Sequence, residues 1–340
     1  MVEQGSIVSL AGGQYRLREQ LGGSAYGVVW RADRTGAAGC VAVKLVNTAQ
    51  MERAPAALRG HWSDSARNET TFLARLAPWD GRHIVRLLDS GEHEGLPAMA
   101  LELLDGDLAG HLSAERAAGR VTGPAQALDW AAQVNQALGK VHAAGFRYLD
   151  LKPGNLLVDR RTRCLKLADF GTSRALLEAP TPVYAGTASW QAPEQFFPQA
   201  GGLYAGDARS DYFALGALLY YLACGQVLRY SAACAGAYRA HGRDGAAALR
   251  ARDGGPPPPL PPDEAARFGA VFGGARVPAL LLLRTLLAPQ PDQRPRHALD
   301  ISRMLGAVRA GLAEHDTQSH ERQLPAREAR ERHLLLRRAA

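Results

Sequence analysis

Lysine is almost missing from this chain of 340 residues. Of its 40 basic residues only Lys44, Lys140, Lys152 and Lys166 are lysines; the other 36 are arginines. Cysteine is nearly as sparse. Cys40, Cys164, Cys224 and Cys234 form no C-x-x-C pair and follow no secretory signal, so a reduced, soluble, cytoplasmic protein is expected. Long apolar runs are missing too. The longest, Tyr212–Cys224, is shorter than the roughly 20 residues a helix needs to cross a bilayer, so no membrane partner is expected. Charge of one sign is in only mild excess, +7 with both signs scattered, which argues against a nucleic-acid partner. No internal repeat is found. What is present is a chain with 46% hydrophobic and 21% charged residues, long enough to bury a sizeable core. Its wealth of Ala, Gly and Arg points to a high-GC bacterial genome.

The N-terminal third reads as strands. Gln14–Leu21, Tyr26–Ala32 and Cys40–Val46 are rich in β-branched and aromatic residues and are separated by glycine-containing turns. A helix is expected over Asn68–Leu76, where Phe72, Leu73 and Leu76 recur at helical spacing, followed by strands at Ile84–Leu88 and Leu96–Leu104. From Pro124 the pattern turns helical through Leu128, Val134, Leu138 and Val141. Asn155–Asp159 and Cys164–Ala168 flank the charged turn Arg160–Arg163 and predict a hairpin. Helices are expected beyond Ser210 and over Val277–Leu287. PPPPLPP at 256–262 reads as a stiff surface connection, with a polyproline ligand the less favoured alternative. The tail from Glu314 to Ala340 alternates charges and ends in LLLRR, a helix that docks or frays.

Three segments carry chemistry. In Leu21-Gly22-Gly23-Ser24-Ala25-Tyr26-Gly27 small residues lie between two strands, where backbone N–H groups can cradle a phosphate. In Val41-Ala42-Val43-Lys44 a lysine faces inward on a half-buried strand, which is costly unless it meets an anion. A nucleotide phosphate supplies one, with Glu69 on the next helix as ionic partner. In a chain this poor in lysine, the choice points to a need for a compact ammonium. Tyr148-Leu149-Asp150-Leu151-Lys152-Pro153-Gly154-Asn155 packs a carboxylate, an ammonium and a carboxamide into one loop, able to orient a hydroxyl and neutralise a phosphate. Asp169-Phe170-Gly171 follows an apolar strand, and Asp169 beside Asn155 would suit Mg²⁺.

In this order, and with Gly186-Thr187, Ala192-Pro193-Glu194, Ser210-Asp211 and Pro291-Asp292-Gln293-Arg294-Pro295 following, these segments resemble the protein kinase superfamily, specifically the eukaryotic-type serine/threonine kinases found also in bacteria. The resemblance implies an α+β, bilobal fold: a lead over 1–14, a kinase domain over 15–305 (small β-rich lobe 15–104, mainly helical lobe 105–305) and a charged helical tail over 306–340. It implies Mg²⁺-dependent transfer of the ATP γ-phosphate to Ser and Thr hydroxyls of protein substrates. Leu21, Gly22 and Gly27 would cover the phosphates, Val29 and Ala42 would roof the adenine, and Leu157 would be its floor. Leu101 would stand as gatekeeper, with Glu102 and Leu104 offering backbone groups to the adenine edge. Lys44 would pair with the α/β-phosphates and with Glu69, Asp150 would be the base, Lys152 would neutralise the transferred phosphoryl, and Asn155 and Asp169 would hold Mg²⁺. Thr187 would shape the acceptor site, Asp211 would brace the catalytic loop, and Glu194 and Arg294 would form a buried pair.

The chain departs from the family pattern at Ser24, for the second loop glycine; at Tyr148, for histidine, where the ring can still stack beneath Phe170; and at Leu149, where regulated members carry an arginine that meets an activation-loop phosphate. Phosphorylation between Asp169 and Glu194 is therefore not expected to be the main switch. A nucleotide-binding scaffold without activity and a small-molecule kinase are the competing readings. A regulatory partner would dock on the tail or on residues 256–262.

Overall fold

A computed structural model describes residues 2–36, 39–77, 81–181, 184–199 and 201–314. The chain begins with strands β1 (Ile7–Leu10), β2 (Gly13–Gly23), β3 (Gly27–Arg34) and β4 (Cys40–Val46). Helices α1 (Thr48–Arg53) and α2 (Gly60–Ala74) follow, then β5 (Leu87–His93) and β6 (Leu96–Glu102). These strands form one antiparallel sheet in the order β1-β2-β3-β4-β6-β5. Side chains alternate across it, as the pleat requires. Val41, Val43 and Leu45 pack outward with Val8, Tyr15 and Leu17, whereas Ala42 joins Met99 and Leu101 on the inner side. Lys44 shares that inner face.

Three expectations shift here. Residues 7–10, inside the stretch read as a lead, form a strand paired with β2, and Val8 is fully buried. Four residues with one fully buried side chain leave almost no periodic signal. Helix α2 starts eight residues before Asn68, because Gly60–Arg67 is polar and shows no apolar stripe. The strand expected at Ile84–Leu88 lies instead at Leu87–His93, a polar sequence. Its Asp89 accepts from Gly12 N–H and Tyr15 O–H, so its polar groups join the two edges of the curled sheet. Ile84 and Val85 run beside Leu167.

The second lobe is mainly helical: α3 (Leu108–Ala117), α4 (Pro124–Ala143), the short strands β7 (Phe146–Arg147), β8 (Leu156–Asp159), β9 (Cys164–Leu167) and β10 (Arg174–Ala175), then α5 (Pro193–Phe196), α6 (Ala208–Cys224), α7 (Arg229–His241), α8 (Gly245–Asp253), α9 (Pro262–Val271), α10 (Arg276–Leu286) and α11 over residues 298–314. The β8–β9 hairpin matches the sequence expectation. Pro124 sits in the first turn of α4, whose Leu128, Val134, Leu138 and Val141 are buried as the spacing predicts. Helix α6 is buried on nearly every side, the mark of a core helix. Asp207 caps its start, accepting from Arg209 N–H at 2.7 Å and Ser210 N–H at 3.2 Å. Among the described residues no single helix is long and apolar enough to cross a membrane.

Pro262 opens α9 and Pro259 is buried, whereas Pro256 and Pro258 are exposed. Helix α11 passes through residue 305, where the domain was expected to end, and buries Val308. Residues 315–340 of the expected tail lie outside the described residues.

Candidate active site

The site lies between the lobes and is built on opposite charges. Lys44 Nζ, on the inner face of β4, donates to Glu69 Oε2 of α2 at 2.6 Å and to Asp169 Oδ1 at 2.9 Å. Burial alone would pull the lysine toward neutrality; Asp169 and Glu69 outweigh it, and its pKa is raised. Glu69 is pushed up by burial despite the ammonium beside it, whereas the Lys44 charge holds the half-buried Asp169 below its ordinary value. The 25-residue gap between Lys44 and Glu69 is taken up by α1 and the early start of α2, and does not keep them apart.

The loop after β7 holds the second cluster. Asp150 Oδ1 accepts from Thr187 Oγ1 at 2.7 Å, and its Oδ2 from Lys152 Nζ at 2.8 Å and Asn155 Nδ2 at 3.0 Å. Lys152 Nζ also reaches Thr187 Oγ1 at 2.8 Å. Desolvation raises the pKa of Asp150, partly offset by Lys152 and Thr187. The loop backbone is fixed from below: Asp211 on α6 accepts from the N–H groups of Tyr148 at 2.8 Å and Leu149 at 2.7 Å, and lies 2.8 Å from His142. Of the four non-glycine residues with left-handed backbone angles among the described residues, two lie here, Leu149 (φ 69°) and Asp169 (φ 59°). Strain of this kind persists only where the surroundings fix it, and both positions border the charged groups.

Behind Asp169, Phe170 is fully buried, stacked on Phe72 of α2 (4.4 Å, 25°) and edge-on to Tyr148 (5.2 Å, 71°). The aromatic residue in place of histidine thus meets Phe170 as expected, but edge-on where stacking was expected; the stacked partner is Phe72. Gly171 passes so close to α2 that a Cβ there would lie 2.2 Å from Ser65 Oγ.

Ala42 and Leu101 are buried in the core cluster, and Val29 and Leu157 are partly buried against it. Leu21 is exposed at the end of β2, and Leu104 is half-buried beyond β6. Glu102, expected to matter through its backbone, also has its carboxylate held by Lys166 at 2.6 Å. In the glycine loop, a Cβ on Gly27 would come within 3.0 Å of Lys44 Cε, whereas Gly22 faces open space. Ser24, the departure from glycine, accepts from Gly27 N–H at 3.2 Å and steadies the turn. Glu194 grips Arg294 through two bonds of 2.6 and 2.9 Å, with the guanidinium 5.0 Å from the Phe213 ring.

Sequence reasoning missed several contributors. Trp62 Nε1 donates to Ala25 O in the loop tip at 2.7 Å, and its ring lies 5.1 Å from Tyr26. Asn47 Nδ2 donates to Ser24 O at 2.8 Å. Gln195 donates to Leu149 O at 3.0 Å, and Arg147 is buried beside the catalytic loop. Trp62, the one Phe, Tyr or Trp between Asn47 and Thr71, was the signal that could have found the first of these.

Comparison with known proteins agrees with this geometry. Residues 15–301 match the model of the protein kinase domain. The chain is 30% identical over 308 residues to the serine/threonine-protein kinase PknA of Mycobacterium tuberculosis, covering 88% of this chain and 62% of that protein. It is 35% identical over 227 residues to the DNA damage-responsive serine/threonine-protein kinase RqkA of Deinococcus radiodurans, covering 64% of this chain and 30% of that protein. It thus spans less than two thirds of these relatives. The crystal structure of the Mycobacterium tuberculosis PknI kinase domain superposes with a TM-score of 0.60 at 23% identity, over 91% of this chain and 100% of that one.

Proposed function

Because the chain belongs to the protein kinase domain family, we propose that it transfers the γ-phosphoryl group of ATP to Ser and Thr hydroxyls of protein substrates. The observation that carries this reading is the complete set of charged contacts: Lys44 with Glu69 and Asp169, and Asp150 with Lys152, Asn155 and Thr187. A scaffold that only binds nucleotide has no use for Lys152 and Thr187 joined at one carboxylate.

In the transfer, the acceptor oxygen bonds to the γ-phosphorus as the bridge to the β-phosphate breaks, and the hydroxyl proton passes to Asp150. Thr187 and Asn155 fix the direction of that carboxylate, so little reorganisation remains for the reaction itself. Lys152 stands where charge develops on the moving phosphoryl group, and Lys44, held charged between two carboxylates, is the donor for the α/β-phosphates. Ala42, Val29 and Leu157 exclude water from the adenine, with the backbone of Glu102 and Leu104 at its edge.

Among the described residues no group of three or more His, Cys, Asp or Glu side chains could form a metal cage. The oxygen donors on offer are the Asp169 carboxylate and the Asn155 carboxamide, whose nitrogen is turned toward Asp150. A hard pair of this size fits Mg²⁺, which takes one or two protein oxygens and fills its remaining positions from water and phosphate. When bound it would neutralise phosphate charge.

Protein acceptors are favoured over metabolites because the half-buried segment from Gly186-Thr187 to Ala192-Pro193-Glu194 is held by its own hydrogen bonds and reaches the Asp150 carboxylate through Thr187. The four unpaired cysteines suit a reducing compartment, and we place the chain in the cytoplasm. Incubation with labelled Mg·ATP, a generic protein acceptor and a metabolite panel tests the assignment. Label on Ser and Thr of protein, abolished by EDTA, is expected; label confined to a metabolite would contradict it.

A further inference from the structure

Leu149 removes the arginine to which an activation-loop phosphate would bind, yet the segment after Gly171 is ordered against the catalytic loop. Strand β10 pairs with β7, Arg174 opposite Arg147 and Ala175 opposite Phe146, and Leu176 N–H continues the ladder to Gly145 O at 2.9 Å. The side chain of Arg147 turns underneath. It is 95% buried, and its guanidinium donates to Gly206 O, just ahead of the α6 cap, and to Glu178 O at 3.3 Å. One fork therefore joins the end of β7, the activation segment and the approach to α6. The acidic groups facing it are Glu178, Asp207 and Asp211, with Arg174 opposing. Asp211 is committed to the loop backbone and to His142, and Asp207 to its cap. Glu178 is thus the remaining anion; its carboxylate stands 3.9 Å from Arg174 Nε, while Arg147 holds its backbone carbonyl.

Leu149 completes the arrangement without charge. Its Cδ2 packs so closely on Gly206 that a Cβ there would sit 3.0 Å away, and its carbonyl accepts from Gln195. Arg147 Nε, buried and without a partner, borders a small pocket shared with Leu149, Arg174, Thr181 and Tyr204.

We propose that Arg147, with Arg174 and Glu178, is a positioning clamp that holds the activation segment in its acceptor-binding form without phosphorylation. The guanidinium grips backbone carbonyls from two segments, and the Glu178 carboxylate takes the place of a phosphate. This rests on the kinase reading for its functional meaning, though the clamp itself can be measured without activity.

The test uses the full chain, first dephosphorylated and checked by mass, then as Arg147→Gln, Arg147→Lys and Glu178→Gln. Dephosphorylated wild type is expected to keep its activity. Arg147→Gln is expected to raise KM for the acceptor by about tenfold while leaving ATP affinity unchanged. It should also speed hydrogen exchange in residues 174–181. Arg147→Lys restores charge but not the fork, and should recover only part of the loss. Should Arg147→Gln fail to fold, Glu178→Gln decides, with an expected rise in KM of about threefold and faster exchange in the same residues. Unchanged KM and unchanged exchange in the folded variants would overturn the clamp. So would loss of activity on dephosphorylation, with phosphate found on Thr181 beside the pocket. If wild type transfers no phosphate at all, the kinase reading fails while exchange in 174–181 still decides the clamp.

Discussion

At the scale of single residues, the chemistry concentrates on Asp150. Its oxygens are satisfied by three different side chains, and burial keeps its pKa above the ordinary aspartate value. A raised pKa means that the carboxyl takes up its proton at a higher pH than a free aspartate. The proton-accepting form is therefore lost as pH falls through that raised value, and the acid limb of the kcat profile should lie above the usual aspartate range. Lys152 pulls the pKa down, so Lys152→Gln should move that limb to higher pH as well as slow transfer. A limb that stays in place would show that Lys152 does not act on Asp150. These residues were legible in the sequence because the loop carries its carboxylate, ammonium and carboxamide within six positions. Arg147 was not, since its partners Glu178 and Gly206 lie 31 and 59 residues away and no local pattern links them.

At the scale of elements, α2 is the part that joins the glycine loop to the charged centre. Its core-facing residues, Glu69, Phe72 and Leu73, obey helical spacing and were readable. Its first two turns are polar and were not, yet they carry Trp62 to the loop tip and Ser65 to Gly171. Trp62→Phe keeps an aromatic ring beside Tyr26 and removes the bond to Ala25 O. A single neutral hydrogen bond contributes about 1 kcal/mol, so ATP affinity should weaken by roughly fivefold, with little change in thermal stability. Unchanged affinity in a calorimetric titration would mean that the loop tip is held by Asn47 alone. Strands show the same division: β4 was placed from end to end by its β-branched run after a glycine-containing turn, whereas β5 was displaced because its polar residues serve contacts between the sheet edges.

At the scale of the whole molecule, the two lobes meet at the Lys44–Glu69–Asp169 cluster, and the activation segment is tied to the helical lobe by Glu194 and Arg294. That pair has no access to solvent on the arginine side. Removing one member leaves the other charge buried, which costs about 3–5 kcal/mol. Arg294→Leu should therefore lower the melting temperature by several degrees, with Glu194→Leu/Arg294→Leu less unstable than either single change. Equal, additive losses would show that the pair is not coupled. The bilobal order of parts was readable because each motif is short and their sequence is fixed. The continuation of α11 past 305 was missed although Ile301, Leu305, Val308 and Leu312 recur at helical spacing, because the last recognised motif ends at Pro295 and marks no helix end.

The central claim is that the assembled charges make a phosphotransferase and not a nucleotide-binding scaffold. Phosphate transfer from labelled Mg·ATP should be measured for wild type and Asp150→Asn beside each protein's affinity for ATP. The expected result is label on Ser and Thr with wild type, a loss of about 10²–10⁴-fold in Asp150→Asn, and closely similar ATP affinities. Equal transfer by the two proteins, or none by either while both bind ATP, would contradict the claim.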